Sequence, residues 1–539
     1  MIKLLMRQKH FLFGLLLIII LSSFHLKKLK NKPQPKRPNI LFCIADDATF
    51  LHFSAYGSKW VKTPSFDRVA NAGLLFKNAY TPNAKCAPSR ACILTGRNSW
   101  QLGPLGNHLA YWPDGAYMTF VEALSQNGYQ VGYTGKPWAP GDPGKVNGHI
   151  REVTGKAYNN SKTTPPTSGI SNIDYAGNFE DFLKKKDKDE PFCFWYGGIE
   201  PHRPYEYGSG AKLGRRPKSS IDYVPSFWPD NDSVRTDMLD YGYEIEYFDH
   251  QLGRMLASLE EKGLLDNTIV VVTSDNGMPF PRIKGQEYEL SNHLPLVIMW
   301  KDGIEKPGRE IDDFISFIDF APTFLSAAGI NTKNTKLNSI QGKSLIPIFK
   351  STKAGIINLA NDHALIGKER HDVGRPNEWG YPIRGIVKGD FLYLKNFEPS
   401  RWPVGNPETG YLNTDGSPTK TVILNQNRSN PGKNRYWNWD FDKRPEEEFY
   451  NIKKDPECLQ NLINETAYKK KIIALRGQLF AELKQQQDPR MFGNGSVFEK
   501  YPPTEGKDFY KQFTEGKKQK TGWVNADDYE TDTRIINKR

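Results

Sequence analysis

A chain of 539 residues, 25% of them charged and 12% aromatic, has an ordinary globular composition and enough length to bury a large core. Its formal charge of +12 is concentrated at one end: residues 1–30 hold six Lys/Arg and no acid, leaving +6 for the rest. That remainder suits an anionic partner. With no basic cluster interleaved with aromatics, it does not point to a nucleic-acid binder.

The N-terminal stretch "MIKLLMRQKHFLFGLLLIIILSSFHL" (1–26) has a basic start and an apolar run, the pattern of an export signal. No A-x-A cleavage site follows, so an uncleaved anchor is the alternative, although the run is short for a full span. Export to the periplasm, the cell surface or the medium is expected. Residues 27–37, "KKLKNKPQPKR", read as an extended linker. "NILFCIA" (39–45) is then a continuous apolar strand of the kind buried on both faces of a sheet. Further runs follow: "GYQVGYTG" (128–135), "PFCFWYGG" (191–198), "TIVVVTS" (268–274) and "LPLVIMW" (294–300), with a helical stretch at 237–263. The alternation predicts an α/β fold with a mostly parallel sheet over 38–380. From about 382 the texture changes to hairpin strands, "PIRGIVKGDFLYLKN", and a helix near 466–486, which predicts a smaller α+β subdomain over 381–495. Residues 496–539 read as a polar tail.

Two of the buried strands end in oxygen ligands, Asp46-Asp47 and Asp275-Asn276. Strand carboxyl ends are where open α/β sheets bind ligands. Adjacent carboxylates repel each other, and an all-oxygen set selects a hard divalent ion, Ca²⁺ or Mg²⁺, over zinc. Five scattered cysteines (43, 86, 92, 193, 458) make a poor disulfide framework, and Cys43 and Cys193 sit in apolar runs as small hydrophobes. Cys86 does not. It opens "CAPSRACILTGR", where Pro88 suits a first helical turn and Gly96 the position past its end. Cys86 thus falls at a helix N-terminus, which attracts anions, with Arg90 one turn on. A thiolate nucleophile is one reading, but its arginine spacing is wrong and it gives the acidic pairs no task.

Cys86-Ala87-Pro88-Ser89-Arg90 with Thr95-Gly96-Arg97, joined to "ADD", "GYTGK", "EPHRPY" and "SDNG" in order, resembles the formylglycine-dependent sulfatases. That resemblance extends from about 38 to 465 and implies an alkaline-phosphatase-like fold. In that family a maturation enzyme oxidises the cysteine to an aldehyde, formylglycine, whose hydrate is the nucleophile. It implies Asp46, Asp47, Asp275 and Asn276 as metal ligands, with the modified Cys86 also facing the ion. Arg90 would steady the aldehyde hydrate, Lys136 and Lys284 would bind sulfate, and His202 would touch sulfate and protonate the leaving oxygen. One departure stands out: many sulfatases carry a histidine two residues after the Gly-Lys lysine, where this chain has Trp138.

The overall texture is similar to bacterial heparan N-sulfatase-like proteins. The expected substrate is a sulfated glycan, an algal polysaccharide such as ulvan first and a glycosaminoglycan of N-sulfoglucosamine type second. The alternative of another class is a catalytically silent glycan-binding protein, and a phosphate ester hydrolase of the same superfamily is a further one. Selectivity for the sugar is expected from "GKERHDVGRPNEWGYPIR" (367–384), with Arg370, His371 and Arg375 binding further anionic groups on the rim.

Overall fold

The strand "NILFCIA" (β1, Asn39–Ala45) lies at the centre of an eight-stranded sheet, and every one of its residues is buried. In the computed structural model, residues 36–187, 190–332, 335, 337, 339–517 and 523–530 are described. The expected signal or anchor over 1–26, the first nine residues of the linker and residues 531–539 lie outside them. The described residues from Pro38 onward form one compact unit. Among the described residues no helix is long and apolar enough to cross a membrane.

The other strands of the large sheet are β2 (Leu74–Tyr80), β3 (Gln130–Gly135), β4 (Lys156–Ala157), β5 (Phe192–Gly197), β6 (Thr268–Ser274), β7 (Leu296–Met299) and β8 (Arg309–Ser316). Their order is β8-β2-β7-β6-β1-β5-β3-β4. Only β7 runs antiparallel to its neighbours. β1 is parallel to both β5 and β6, with Ala45 opposite Ser274 and Ile44 opposite Gly197. This register brings three strand ends level, so the residues that follow β1 and β6 must share one crevice. Because side chains alternate along a strand, Leu41, Cys43 and Ala45 join the core on one face. Ile40, Phe42 and Ile44 join the core on the other. Phe42 packs on Trp195 with ring centroids 4.8 Å apart.

Helices cover both faces. α1 (Cys86–Thr95) has every residue buried and ends at Gly96, whose φ of 68° allows its N–H to bond Cys92 O at 2.9 Å. α2 (Asp232–Glu261) begins a little before the expected helical stretch, capped by Asn231 Oδ1 accepting from Val234 N–H at 3.1 Å. The second sheet is antiparallel: β9 (His363–Lys368), β10 (Ile383–Lys388), β11 (Phe391–Asn396) and β12 (Glu447–Asn451), in that order. It contains the expected hairpin but starts at His363, ahead of residue 381. α3 (Lys469–Gln485) packs Leu475 and Leu479 against Tyr393 and Phe449 on it.

The segment read as a polar tail is built into the fold. Phe498 is buried in the same cluster as Trp100 and Leu479, and Phe509 in one with Val373 and Leu412. Asp528 is buried against Lys420, 3.2 Å away. Isolated aromatics separated by charged and glycine residues have no period, and so their burial left no pattern to read. Phe498→Ala should lower unfolding free energy by about 3–5 kcal/mol, measured as the urea midpoint. An unchanged midpoint would show that this segment contributes nothing.

Candidate active site

The crevice beyond β1 and β6 collects residues from six separate parts of the chain. Asp46 and Asp47 leave β1, and Asp47 adopts φ 74°, a left-handed conformation uncommon outside glycine. Its N–H donates to Asp275 Oδ1 at 3.1 Å, which joins the two strand ends directly. Single carboxylate oxygens of Asp46, Asp47 and Asp275 lie within 4.8 Å of one another, near enough to share one cation. Asn276 completes the set. Its Nδ2 donates to Asp47 Oδ1 at 2.7 Å and to Gly277 O at 2.9 Å, while Oδ1 is buried with no partner. A buried carbonyl oxygen left without a donor, beside three carboxylates, fits a hard divalent cation.

Cys86 begins α1 and points its Sγ at Asp46 Oδ1 (3.5 Å) and Asp47 Oδ1 (3.8 Å). Burial, and then the Asp46 carboxylate, push its thiol well above the ordinary range. That is the reverse of what a thiolate nucleophile requires. Arg90, one turn along, donates from Nε to Asp275 Oδ2 at 2.8 Å and from Nη1 to the carbonyl of Lys136 at 2.9 Å. Its Nη2 lies 3.6 Å from Asp46 Oδ1 and has no hydrogen-bond partner.

Lys136 reaches Asp46 Oδ2 with its ammonium. Burial resists charge on Asp46, but Lys136, helped by His202 and Arg90, outweighs it and holds the carboxyl at about 2. The turn before Lys136 needs Gly135: φ is 76°, and a Cβ there would sit 1.9 Å from Gly197 O. Lys284 bridges Asp47 Oδ2 (2.6 Å) and Asp415 Oδ2 (2.8 Å). Burial opposes its charge, yet Asp415 and Asp47 together raise it well above the usual lysine range. His202 lies 3.8 Å from Asp47 Oδ2 through Nε2. Its Nδ1 is 2.6 Å from the Arg203 carbonyl, which can only accept, so Nε2 is the ring atom left for a transferable proton. Arg203 is fixed in turn by a two-point pair with Asp237 at 2.7 and 2.8 Å.

Charge counting sharpens the picture. Asp46, Asp47, Asp275 and Asp415 face Arg90, Lys136 and Lys284, four negative groups against three positive. A divalent cation would reverse the balance to one net positive charge.

Of the expected residues, Cys86, Lys136, His202 and Lys284 line one cavity of about 260 Å³, while Asp46, Asp47 and Asp275 contact them or Arg90 beneath it. The rim expected at 370–375 does not line it. Arg370, His371 and Arg375 are 3%, 0% and 1% exposed. His371 is bonded to Gly285 O (3.0 Å) and Asn83 Oδ1 (2.9 Å), and Arg375 donates to Trp402 O and Pro403 O. Arg370 donates to Tyr501 O at 2.7 Å and lines a different cavity, with Lys507 and Tyr510. None of the three lines the cavity at Cys86, so the expected sugar-binding rim is not found there; each is instead engaged with carbonyl oxygens of neighbouring loops.

The cavity wall instead contains Lys85, His108, Asp372, Asp415, Glu505 and Trp523, none of which the sequence singled out for the site. Lys85 and Asp372 adjoin residues that were singled out. Asp415 and Trp523 lie in loops without any pattern. Where the family's second histidine is absent, Trp138 is buried and donates from Nε1 to Ala87 O at 2.9 Å, pinning the first turn of α1.

A family model described as Sulfatase matches residues 38–330. An ulvan-active sulfatase of Formosa agariphila is 26% identical over 83% of this chain and 74% of its own length. The human N-sulphoglucosamine sulphohydrolase is 26% identical over 86% of this chain and 93% of its own. A structure solved with its substrate D-glucosamine-2-N,6-O-disulfate superposes with a TM-score of 0.61 at 23% identity, over 84% of this chain and 99% of that one.

The acidic crevice predicts a calorimetric result. Titration with Ca²⁺ should give one tight site, and Asp47→Ala or Asn276→Ala should weaken it by at least about 100-fold. Unchanged affinity in both variants would place the cation elsewhere.

Proposed function

The chain belongs to the sulfatase family and is a sulfuric ester hydrolase; from that premise we propose that it desulfates a polysaccharide or its oligosaccharides, ulvan first, with formylglycine at residue 86 and Ca²⁺ in the crevice. The observation that carries the reading is the charge balance at one closed site. With a divalent ion in place, the seven charged groups counted above carry one net positive charge, which suits an anionic ester. The silent glycan-binding alternative leaves the complete acidic set, Arg90, Lys136 and Lys284 without a purpose.

Converted to formylglycine, residue 86 supplies a hydroxyl nucleophile in its hydrated form. The divalent ion, when bound, supplies Lewis acidity toward that hydroxyl and toward sulfate oxygens. The rest falls to this chain's own side chains. Lys136 and Lys284 are fixed by Asp46 and by the Asp47–Asp415 pair, so both ammonium groups are in position before the ester arrives. They and the unfilled Nη2 of Arg90 hold the sulfate oxygens as charge spreads over them. His202, with Nδ1 donated to Arg203 O, delivers a proton from Nε2 to the departing sugar oxygen.

Ulvan is favoured by the similarity to an ulvan-active sulfatase. The second reading, a glycosaminoglycan sulfatase, is favoured by the near full-length match to the human N-sulphoglucosamine enzyme. Export through residues 1–26 to the periplasm or beyond accords with either polymer.

Mass spectrometry of the peptide containing residue 86, from protein made alongside a maturation enzyme, should show an aldehyde where the sequence has a thiol. Fully active protein with only unmodified cysteine would end the proposal. Separately, His202→Ala should lose about 10²–10⁴-fold in kcat on sugar sulfates. The loss on aryl sulfates should be much smaller, since a phenolate needs little help to leave. Equal losses on both would remove His202 as the acid.

A further inference from the structure

The cavity that opens on Cys86 contains a second imidazole, His108, with an unusual set of partners. Its Nδ1 lies 3.1 Å from Asp372 Oδ1, and the other oxygen of Asp372 is 2.8 Å from Lys85 Nζ. Lys85 immediately precedes Cys86, so the Lys85–Asp372–His108 chain is tied to the start of α1. His108 is only 7% exposed, and its Nε2 is buried with no hydrogen-bond partner. A buried polar atom without a partner carries a desolvation cost that a bound group can relieve.

The direction of that missing bond follows from the carboxylate. Asp372 is held ionised: burial acts against its charge, but Lys85 and His108 outweigh burial and lower its carboxyl. An ionised carboxylate only accepts, so His108 carries its proton on Nδ1. Burial, with Lys85 and Lys284 adding to it and Asp372 opposing, brings the His108 ring down to about 4. The ring is therefore neutral near pH 7, and Nε2 is a bare acceptor.

The neighbouring backbone is constrained to keep this arrangement. His108 N–H donates to Arg370 O at 2.9 Å. Leu109, which also lines the cavity, takes φ 52°, a left-handed conformation that a leucine adopts only when its surroundings hold it there. Its carbonyl accepts from Thr504 N–H at 2.8 Å, within the segment that also brings Glu505 to the cavity.

We propose that His108, oriented by Asp372, is a sugar-recognition residue whose Nε2 accepts a hydrogen bond from a ring hydroxyl of the sulfated sugar. This rests on the sulfatase reading and adds to it the part of the substrate that the sulfate-holding residues do not touch. It also limits the substrate. A bare acceptor favours a hydroxyl donor over a carboxylate at this position. Asp372 is a positioning residue, acting through the His108 tautomer.

The test uses monosulfated methyl glycosides of rhamnose, glucose and glucosamine, each paired with analogues in which one ring hydroxyl is replaced by hydrogen. For the best substrate, one particular deoxy analogue should lose about 10- to 100-fold in kcat/KM with the wild-type enzyme. His108→Leu should lose a similar factor on the parent sugar and should discriminate less than 3-fold between parent and analogue. His108→Gln, which keeps volume and an acceptor, should retain part of the discrimination and guards against a folding defect. Asp372→Asn, which frees the other tautomer, should also lose it, with the change mainly in KM. Full discrimination surviving in His108→Leu would overturn the proposal, as would full discrimination in Asp372→Asn for the positioning role. No sulfate released by the wild type from these glycosides, or from ulvan and heparan oligosaccharides, would instead overturn the underlying reading of the activity.

Discussion

Three carboxylates buried at the ends of two neighbouring parallel strands set the terms for the rest of this molecule. Asp46, Asp47 and Asp275 are each at most 1% exposed, and their mutual repulsion in a low-dielectric crevice is large. Every cation of the site answers it. Arg90 is drawn to Asp275, Lys136 to Asp46, and Lys284 to Asp47 with Asp415. These pairings require α1 to start where it does, the Gly135 turn to bring Lys136 alongside Gly197, and the second sheet's loops to reach Asp47. The unpartnered Asn276 oxygen beside these carboxylates leaves a donor set that could take a divalent cation. A site neutralised in this way is preorganised, because its donors are oriented by fixed partners before any ester is bound.

Much of this was legible in the sequence where a short run carries both a period and a chemistry. "NILFCIA" and "TIVVVTS" declare buried strands by unbroken hydrophobicity and are followed by Asp46-Asp47 and Asp275-Asn276, so pairing them in parallel was enough to assemble the crevice. Pro88 and Gly96 marked the limits of the helix that begins with Cys86, and φ at Gly96 bears out the second. The Cys-x-Pro-Ser-Arg resemblance supplied the link between these fragments, which spacing alone did not. The family and the α/β fold class were readable for that reason.

What was not legible depended on contacts without a period. The charged loop at 367–384 has the composition of a solvated rim, yet the loop residues Arg370, His371 and Arg375 are buried because the two sheets meet there and loop carbonyls need donors. Composition reports charge but not whether backbone acceptors wait nearby. The C-terminal segment shows the opposite failure. Its aromatics look incidental, but Phe498 enters the core and Trp523 reaches the cavity at Cys86. His108 had no signal at all, since its meaning comes from Asp372, 264 residues away. The motifs that resemble the family's are local, whereas the wall of the cavity at Cys86 is assembled from distant single residues.

The central claim is that the residues around Cys86 direct attack at sulfur, with the sugar oxygen departing under protonation by His202. Hydrolysis in oxygen-18 water tests this most directly, by following where the label appears. The account predicts label in the released sulfate and none in the sugar hydroxyl. Label in the sugar hydroxyl would mean cleavage of the carbon–oxygen bond and would contradict it.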